Sequence, residues 1–153
     1  MKYIFSLFLV FSFIFSFGQI NPSEMFKIYE MNFDQFETYA LNKGYEIDEP
    51  VNKDGLHGVS YVKGLGNNRS YISLYDVFVF NRKTVDYQLK NSNQFLNFKT
   101  QLKNMGFRLF SSENYTGKDG DKGLHNIYRN KIWEFSINSI QGGYYEINLR
   151  KIL

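Results

Sequence analysis

FDQFETYALNKGY, residues 33–45, recurs as FLNFKTQLKNMGF, residues 95–107, without a gap at an offset of 62. The alignment pairs Phe33 with Phe95, Phe36 with Phe98, Ala40 with Leu102, Gly44 with Gly106 and Tyr45 with Phe107. Apolar side chains at i, i+3 and i+7 share one face of a helix, so each copy predicts one amphipathic α-helix. The glycine at its end supplies a left-handed residue that closes a helix, and the following aromatic enters the next element.

Upstream, Asn21-Pro22-Ser23-Glu24 reads as a helix start: Asn21 caps, Pro22 suits the first turn, and Glu24 stands three residues after the cap. That helix is expected to run to about Met31, and Asn32 with Gln35 caps the next one. After Gly44 the period becomes twofold. Tyr45 to Asp48 alternates and is expected to stop at Pro50, and Asn52 to Gly55 reads as a turn. Strands are expected around Val59 and Tyr61, reaching as far as Leu65, then from Ser70 to Phe80 and from Thr84 to Leu89, with a turn at Asn81-Arg82-Lys83. In the second half they are expected from Phe107, at Leu124–Arg129, Lys131–Ile140 and Tyr144–Ile152, with a hairpin loop from Thr116 to Gly123. Val85 to Lys90 matches Tyr145 to Arg150 at an offset of 60. Two matched ends at nearly equal offsets predict a duplication, with repeats at about 32–91 and 92–153. The expected fold class is α+β: two tandem α-ββββ repeats forming an antiparallel sheet, with helices packed on one face and part of the other left open.

The first 18 residues read as a leader. Met1-Lys2-Tyr3 is positively charged, Ile4 to Phe17 is almost wholly apolar, and Ser16-Phe17-Gly18 places small residues where a signal peptidase reads them. Its fourteen or so residues fall short of the ~20 that span a bilayer. The expectation is an exported protein, periplasmic or secreted, without stable membrane insertion, whose mature domain is residues 19–153. Losing Lys2 from 18 basic side chains leaves 17 against 15 acidic ones, a near-neutral balance that points away from nucleic acid. With no cysteine, stability has to come from the core. Asn68-Arg69-Ser70 and Asn114-Tyr115-Thr116 match the glycosylation acceptor pattern and read as ordinary loop sequence.

The leader with two copies of Phe-x-x-Phe-x-x-x-(Ala/Leu)-x-x-x-Gly-aromatic, each followed by short strands, resembles a group of small exported Bacteroidota proteins of no established activity. The likeness covers Phe33 to Lys151, and being a packing pattern it implies no catalytic residue. In architecture alone the arrangement is similar to the β-lactamase inhibitory proteins, whose concave sheet binds an enzyme through aromatic side chains.

Catalytic and metal signatures are weak. The two histidines lie in a repeated tripeptide, Gly55-Leu56-His57 and Gly123-Leu124-His125, which reads as a duplicated strand entry with leucine entering the core. Two imidazoles without a further ligand set are too few for a standard zinc site, so no metal and no cofactor is expected. Asp119-Gly120-Asp121 is followed by Lys122-Gly123, so no oxygen-bearing side chain stands where a calcium loop needs its third ligand. There is no cysteine nucleophile, Gly-x-Ser-x-Gly elbow or His-Glu-x-x-His. Asp76, Asp86, Glu134 and Glu146 lie on expected strands and offer paired carboxylates, but Asp86 and Glu146, as repeat equivalents, read as surface positions.

The tyrosine-rich strands carry the remaining signal, because such rings anchor protein interfaces and sugar-binding faces. Tyr61, Tyr71, Tyr75, Tyr128, Trp133 and Tyr144 form the expected binding face; core packing is the expected fate of about half of the strand aromatics, which also include Tyr87 and Tyr145. Tyr71 and Ile72, like Tyr144 and Tyr145, point to opposite faces. The reading is a non-catalytic exported domain that binds a protein or a cell-envelope component. Its alternatives are a small hydrolase using strand carboxylates and a binder of an apolar ligand between helix and sheet.

Overall fold

The structure is a computed structural model describing residues 19–53, 55–77, 82–117 and 120–152. The leader expected at 1–18, Asp54 of the first turn, the strand end expected at 78–80, Asn81, and Lys118 and Asp119 of the second hairpin loop lie outside the described residues.

Two helices precede the first strand: α1 (Pro22–Glu30) and α2 (Phe33–Asn42). Each opens with the reciprocal capping the sequence indicates. Asn21 accepts from the Glu24 backbone amide at 3.0 Å while Glu24 accepts from that of Asn21, and Asn32 and Gln35 repeat the exchange. The chain breaks at Met31, whose extended backbone (ψ 149°) separates two helices. The third helix, α3 (Ser92–Asn104), starts one turn earlier relative to the repeated stretch, capped by Asn91.

The ends of α2 and α3 close alike. The Tyr45 amide donates to Ala40 O and that of Gly44 to Leu41 O; Phe107 to Leu102 and Gly106 to Lys103 reproduce the pair. This closure requires a left-handed residue, supplied by Gly44 at φ +77° and Gly106 at φ +82°. Tyr45 and Phe107 follow directly into the core.

The strands are β1 (Glu46–Lys53), β2 (Leu56–Lys63), β3 (Ser70–Val77), β4 (Arg82–Leu89), β5 (Arg108–Thr116), β6 (Lys122–Arg129), β7 (Trp133–Ile140) and β8 (Tyr144–Lys151). All eight form one antiparallel sheet in the order β1-β2-β3-β4-β8-β7-β6-β5. The meander β1–β4 follows α1 and α2, the meander β5–β8 follows α3, and the two meanders join where β4 lies against β8. Alternation places one set of side chains under the helices. Reading across the registers, Val59, Leu74, Val85, Leu149, Phe135 and Tyr128 make one row of that face, and Tyr61, Ile72, Tyr87, Ile147 and Ile137 the next. All except Val59 are buried.

Aromatic contacts tie the helices to this face. Phe36 of α2 meets the Tyr61 ring edge-on at 5.3 Å between centroids. From α3, Phe98 packs against Phe135 at 5.8 Å and Phe95 stacks on Tyr145 at 3.9 Å. α1 sits over the junction against β4 and β8, with Phe26 reaching Phe107, Trp133 and Phe135. Lys43 of the α2 cap pairs with Glu24 of α1, and Lys83 Nζ donates to Met31 O at 2.8 Å.

Three local expectations are corrected. β1 runs through Pro50, with a register irregularity between Ile47 and Pro50. An edge strand that pairs only with β2 tolerates proline because one side of its ladder needs no donor. β2 ends at Lys63, and Leu65, next to the short 3₁₀ turn Gly66–Asn68, is 86% exposed. In the repeated Gly-Leu-His, Leu124 is 38% exposed and Leu56 only half-buried, so neither leucine is a core entry. Among the described residues, no helix is long and apolar enough to cross a membrane.

Candidate functional site

The face away from the helices has its own rows. At the centre, Ser60, Ser73, Asp86, Asn148, Ser136 and Ile127 stand side by side across six strands; on one side of them run Val62, Tyr71, Gln88, Glu146, Asn138 and His125, and on the other Gly58, Tyr75, Thr84, Arg150, Glu134 and Arg129. This face is therefore polar where the two halves meet. It holds a cavity of about 390 Å³ lined by Asp86, Gln88, Ser136, Asn138, Glu146, Ile147, Asn148 and Arg150.

Carboxylates and amides alternate around this cavity. Asn148 Nδ2 donates to Asp86 Oδ1, and Asn138 Nδ2 donates to Glu146 Oε2 at 3.2 Å. Glu134 has a different environment: its side chain is buried between two guanidiniums, accepting from Arg129 Nε at 2.5 Å and from Arg150 Nε at 2.6 Å. That carboxylate is neutralised from both flanks. Asp86 and Glu146, by contrast, are in no ion pair among the described residues and have neutral amide donors alone. Burial pushes the Asp86 carboxyl up to about 7, with the Asn148 hydrogen bond opposing the rise and the charge of Glu146 adding to it.

Four tyrosines flank the cavity. Tyr75 lies over Gly58 of β2, and a Cβ there would come within 2.4 Å of both its ring and Leu74 O. Tyr115 of β5 lies over Gly123 of β6 in the same manner, its ring 2.5 Å from where a Cβ would stand. The glycines thus leave room for rings to lie along the sheet. Tyr144 donates its hydroxyl to Gln88, and burial, then Glu146 and Tyr71, push its own ionisation up to about 12. Asp86 acts in the same direction on Tyr75, and Glu146 on Tyr115, in each case after burial.

The expected binding face divides. Tyr71, Tyr75 and Tyr144 are on the open face. Tyr61 and Tyr128 are 1% and 4% exposed under the helices, and Trp133 packs edge-on against Phe26 and Tyr29 at 5.0 and 4.7 Å, so these three belong to the helix side. Asp86 and Glu146, expected as surface positions, are half-buried on the open face and line the cavity. Tyr115 joins the open face, and its signal is the cross-strand glycine that only the register reveals.

The histidines do not converge. His57 packs against Phe33 on the helix side at 5.2 Å between centroids, whereas His125 is on the open face with Nε2 3.3 Å from the Ser136 hydroxyl. Five strand steps between β2 and β6, about 24 Å at ~4.8 Å each, separate them. Among the described residues, no group of three or more His, Cys, Asp or Glu is placed to hold a metal ion.

A second cavity of about 440 Å³ opens at the end of the sheet, lined by Lys63, Arg69, Lys90, Asn91 and Gln94 among others. Lys63 is already engaged there, donating to Lys43 O at 2.6 Å. Between Ile20, Tyr87 and Phe98, under the helices, the free space is about 10 Å³, room for a single water. No protein-family model, no curated protein and no solved structure matches this chain.

Proposed function

We propose that this chain is an exported, non-catalytic binding domain, built by duplication of a unit of about sixty residues, that takes a protein or a cell-envelope component on the open face of its sheet. The supporting observation is the arrangement of Tyr71, Tyr75, Tyr115 and Tyr144 around a cavity to which both halves contribute. Large, amphipathic rings beside a polar centre form the kind of surface on which binding energy concentrates. The gap between Ile20, Tyr87 and Phe98, about 10 Å³, is too small for an apolar ligand.

The test is capture from the native cell envelope with residues 19–153 as bait, compared with a Tyr71→Ala/Tyr144→Ala variant of unchanged melting temperature. A partner retained by the wild type and lost by the variant is the expected result; equal recovery by both rejects the face. Fractionation with N-terminal sequencing tests export, with Gln19 as the expected first residue.

One observation favours a second reading. A carboxyl with a pKa of about 7 beside a second carboxylate is suited to general acid–base work in a hydrolase. Turnover of a glycoside or ester panel that Asp86→Asn abolishes would replace the binding reading with this one.

A further inference from the structure

The helix side of this protein places cations over its own rings. Lys83 sits over Tyr29, Lys63 over Tyr45 and Lys151 over Trp133, and at the β5 edge of the open face the Arg129 guanidinium lies 3.9 Å above Phe110. On the open face, among the described residues, none sits over Tyr71, Tyr75, Tyr115 or Tyr144. The same face holds Asp86 and Glu146, diagonal neighbours across β4 and β8, Cα atoms about 7–8 Å apart by ladder geometry. Their nearest cation, Arg150, is already committed to Glu134. Glu134 balances only one of Arg129 and Arg150, so with Asp86 and Glu146 ionised the three carboxylates and two guanidiniums together carry one net negative charge, although the chain as a whole is slightly positive.

We infer that the open-face cavity is a binding site for an alkylammonium group, held between the Asp86 and Glu146 carboxylates and the flanking tyrosine rings. The inference rests on the open-face reading above and names its ligand chemistry. A volume of about 390 Å³ admits a lysine-sized chain with its first waters. Two complementary features meet in it, and the open-face tyrosines add a third at its margin. Glu146 supplies charge, and Asp86, whose carboxyl burial pushes up to about 7, adds its own as an approaching cation favours loss of its proton; Asn138 and Asn148 hold the two in place without neutralising them. Gln88 and Ser136 offer the remaining N–H groups of an amine neutral oxygen acceptors. The tyrosine faces carry the negative quadrupole that attracts a cation, and such contacts strengthen where water is excluded. A bound ammonium would relieve the like-charge repulsion between the two carboxylates. A neutral polyol would leave that repulsion in place, and an anion would add to it.

Two sources present this group: a free diamine, or a lysine side chain on a protein partner. Backbone amide shifts of isotope-labelled residues 19–153 would be followed during titration with cadaverine, with Nα-acetyl-lysine methylamide, and with the Nε-acetylated form of the latter as a neutral control. The expected result is saturable shifts within 84–88, 134–138 and 144–150 for the charged probes and none for the control. Tighter binding of cadaverine identifies a free amine, and tighter binding of the lysine derivative identifies a partner side chain. Asp86→Asn and Glu146→Gln, each checked for an unchanged amide spectrum elsewhere, should each weaken binding at least about tenfold, and the Tyr71→Ala/Tyr144→Ala variant should weaken it less. Unchanged affinity in either carboxylate variant, or equal shifts from the acetylated control, overturns the inference. If the amines fail while envelope capture still depends on Tyr71 and Tyr144, the ligand class falls and the binding face stands; loss of both results removes both.

Discussion

Tyr87 faces Ile147 across the ladder that joins β4 to β8. These two residues are also equivalents at the sixty-residue offset, so the antiparallel register turns about this pair. Asp86 then meets Asn148, and Gln88 meets Glu146, which gives one carboxylate–amide pair on each side. Every property of the open-face cavity follows from that placement.

Phe36 and Phe98 are 0% and 3% exposed, and each anchors its helix to the sheet through an aromatic contact. Replacement by alanine removes the ring and leaves a cavity, which should cost roughly 3 to 5 kcal/mol at either position. Urea unfolding of Phe36→Ala and Phe98→Ala measures it; near-wild-type midpoints would contradict the packing.

Glu134 is held by two arginines whose side chains are 32% and 42% exposed. Either can be lost while the other still compensates the buried carboxylate. Arg129→Ala or Arg150→Ala should therefore cost about 1 kcal/mol, and removing both about 3 or more, because an unpaired buried charge remains. A double-mutant cycle reads the coupling, and additive costs would show that each arginine contributes independently.

Gly106 closes α3 at φ +82°, and a Cβ added there would meet nothing within 4 Å, so Gly106→Ala tests backbone conformation alone. Destabilisation of about 1 kcal/mol is expected by thermal melting. Gly44→Ala, at φ +77° with Lys63 Nζ 3.4 Å from its Cβ position, should cost as much or slightly more.

Asp86 binds its proton more tightly folded, at about 7, than unfolded, at about 3.8. Its contribution to stability is fully present below the unfolded value and is lost as the pH rises through 7. Relative to Asp86→Asn, the wild type should lose on the order of 1 kcal/mol between pH 4 and 8 once solvent contact of this half-buried group is allowed for. Unfolding free energies of the two proteins across that range supply the difference, and parallel curves would mean that Asp86 titrates normally.

Helix starts, helix ends and the alternation within a strand were legible in the chain because their causes are local. Asn32 finds Gln35 three residues on, Gly44 and Gly106 supply left-handed closures, and Val85, Tyr87 and Leu89 alternate onto one face whatever strand comes to lie beside them. The division of the tyrosines was not legible, since face depends on register and one residue of slip reverses it. Tyr61 and Tyr128 therefore went under the helices while Tyr115 came to lie over Gly123 on the open side.

By itself, then, the sequence determined an α+β chain and the local geometry of each helix and hairpin. The tertiary structure alone decided that β4 pairs with β8, a contact between residues about sixty positions apart for which no local signal exists. Pairing between distant strands is chosen by the summed burial of both apolar faces. That non-local choice brought Asp86 and Glu146 into one cavity, whereas Glu134 meets its two arginines through the β6–β7 and β7–β8 hairpins.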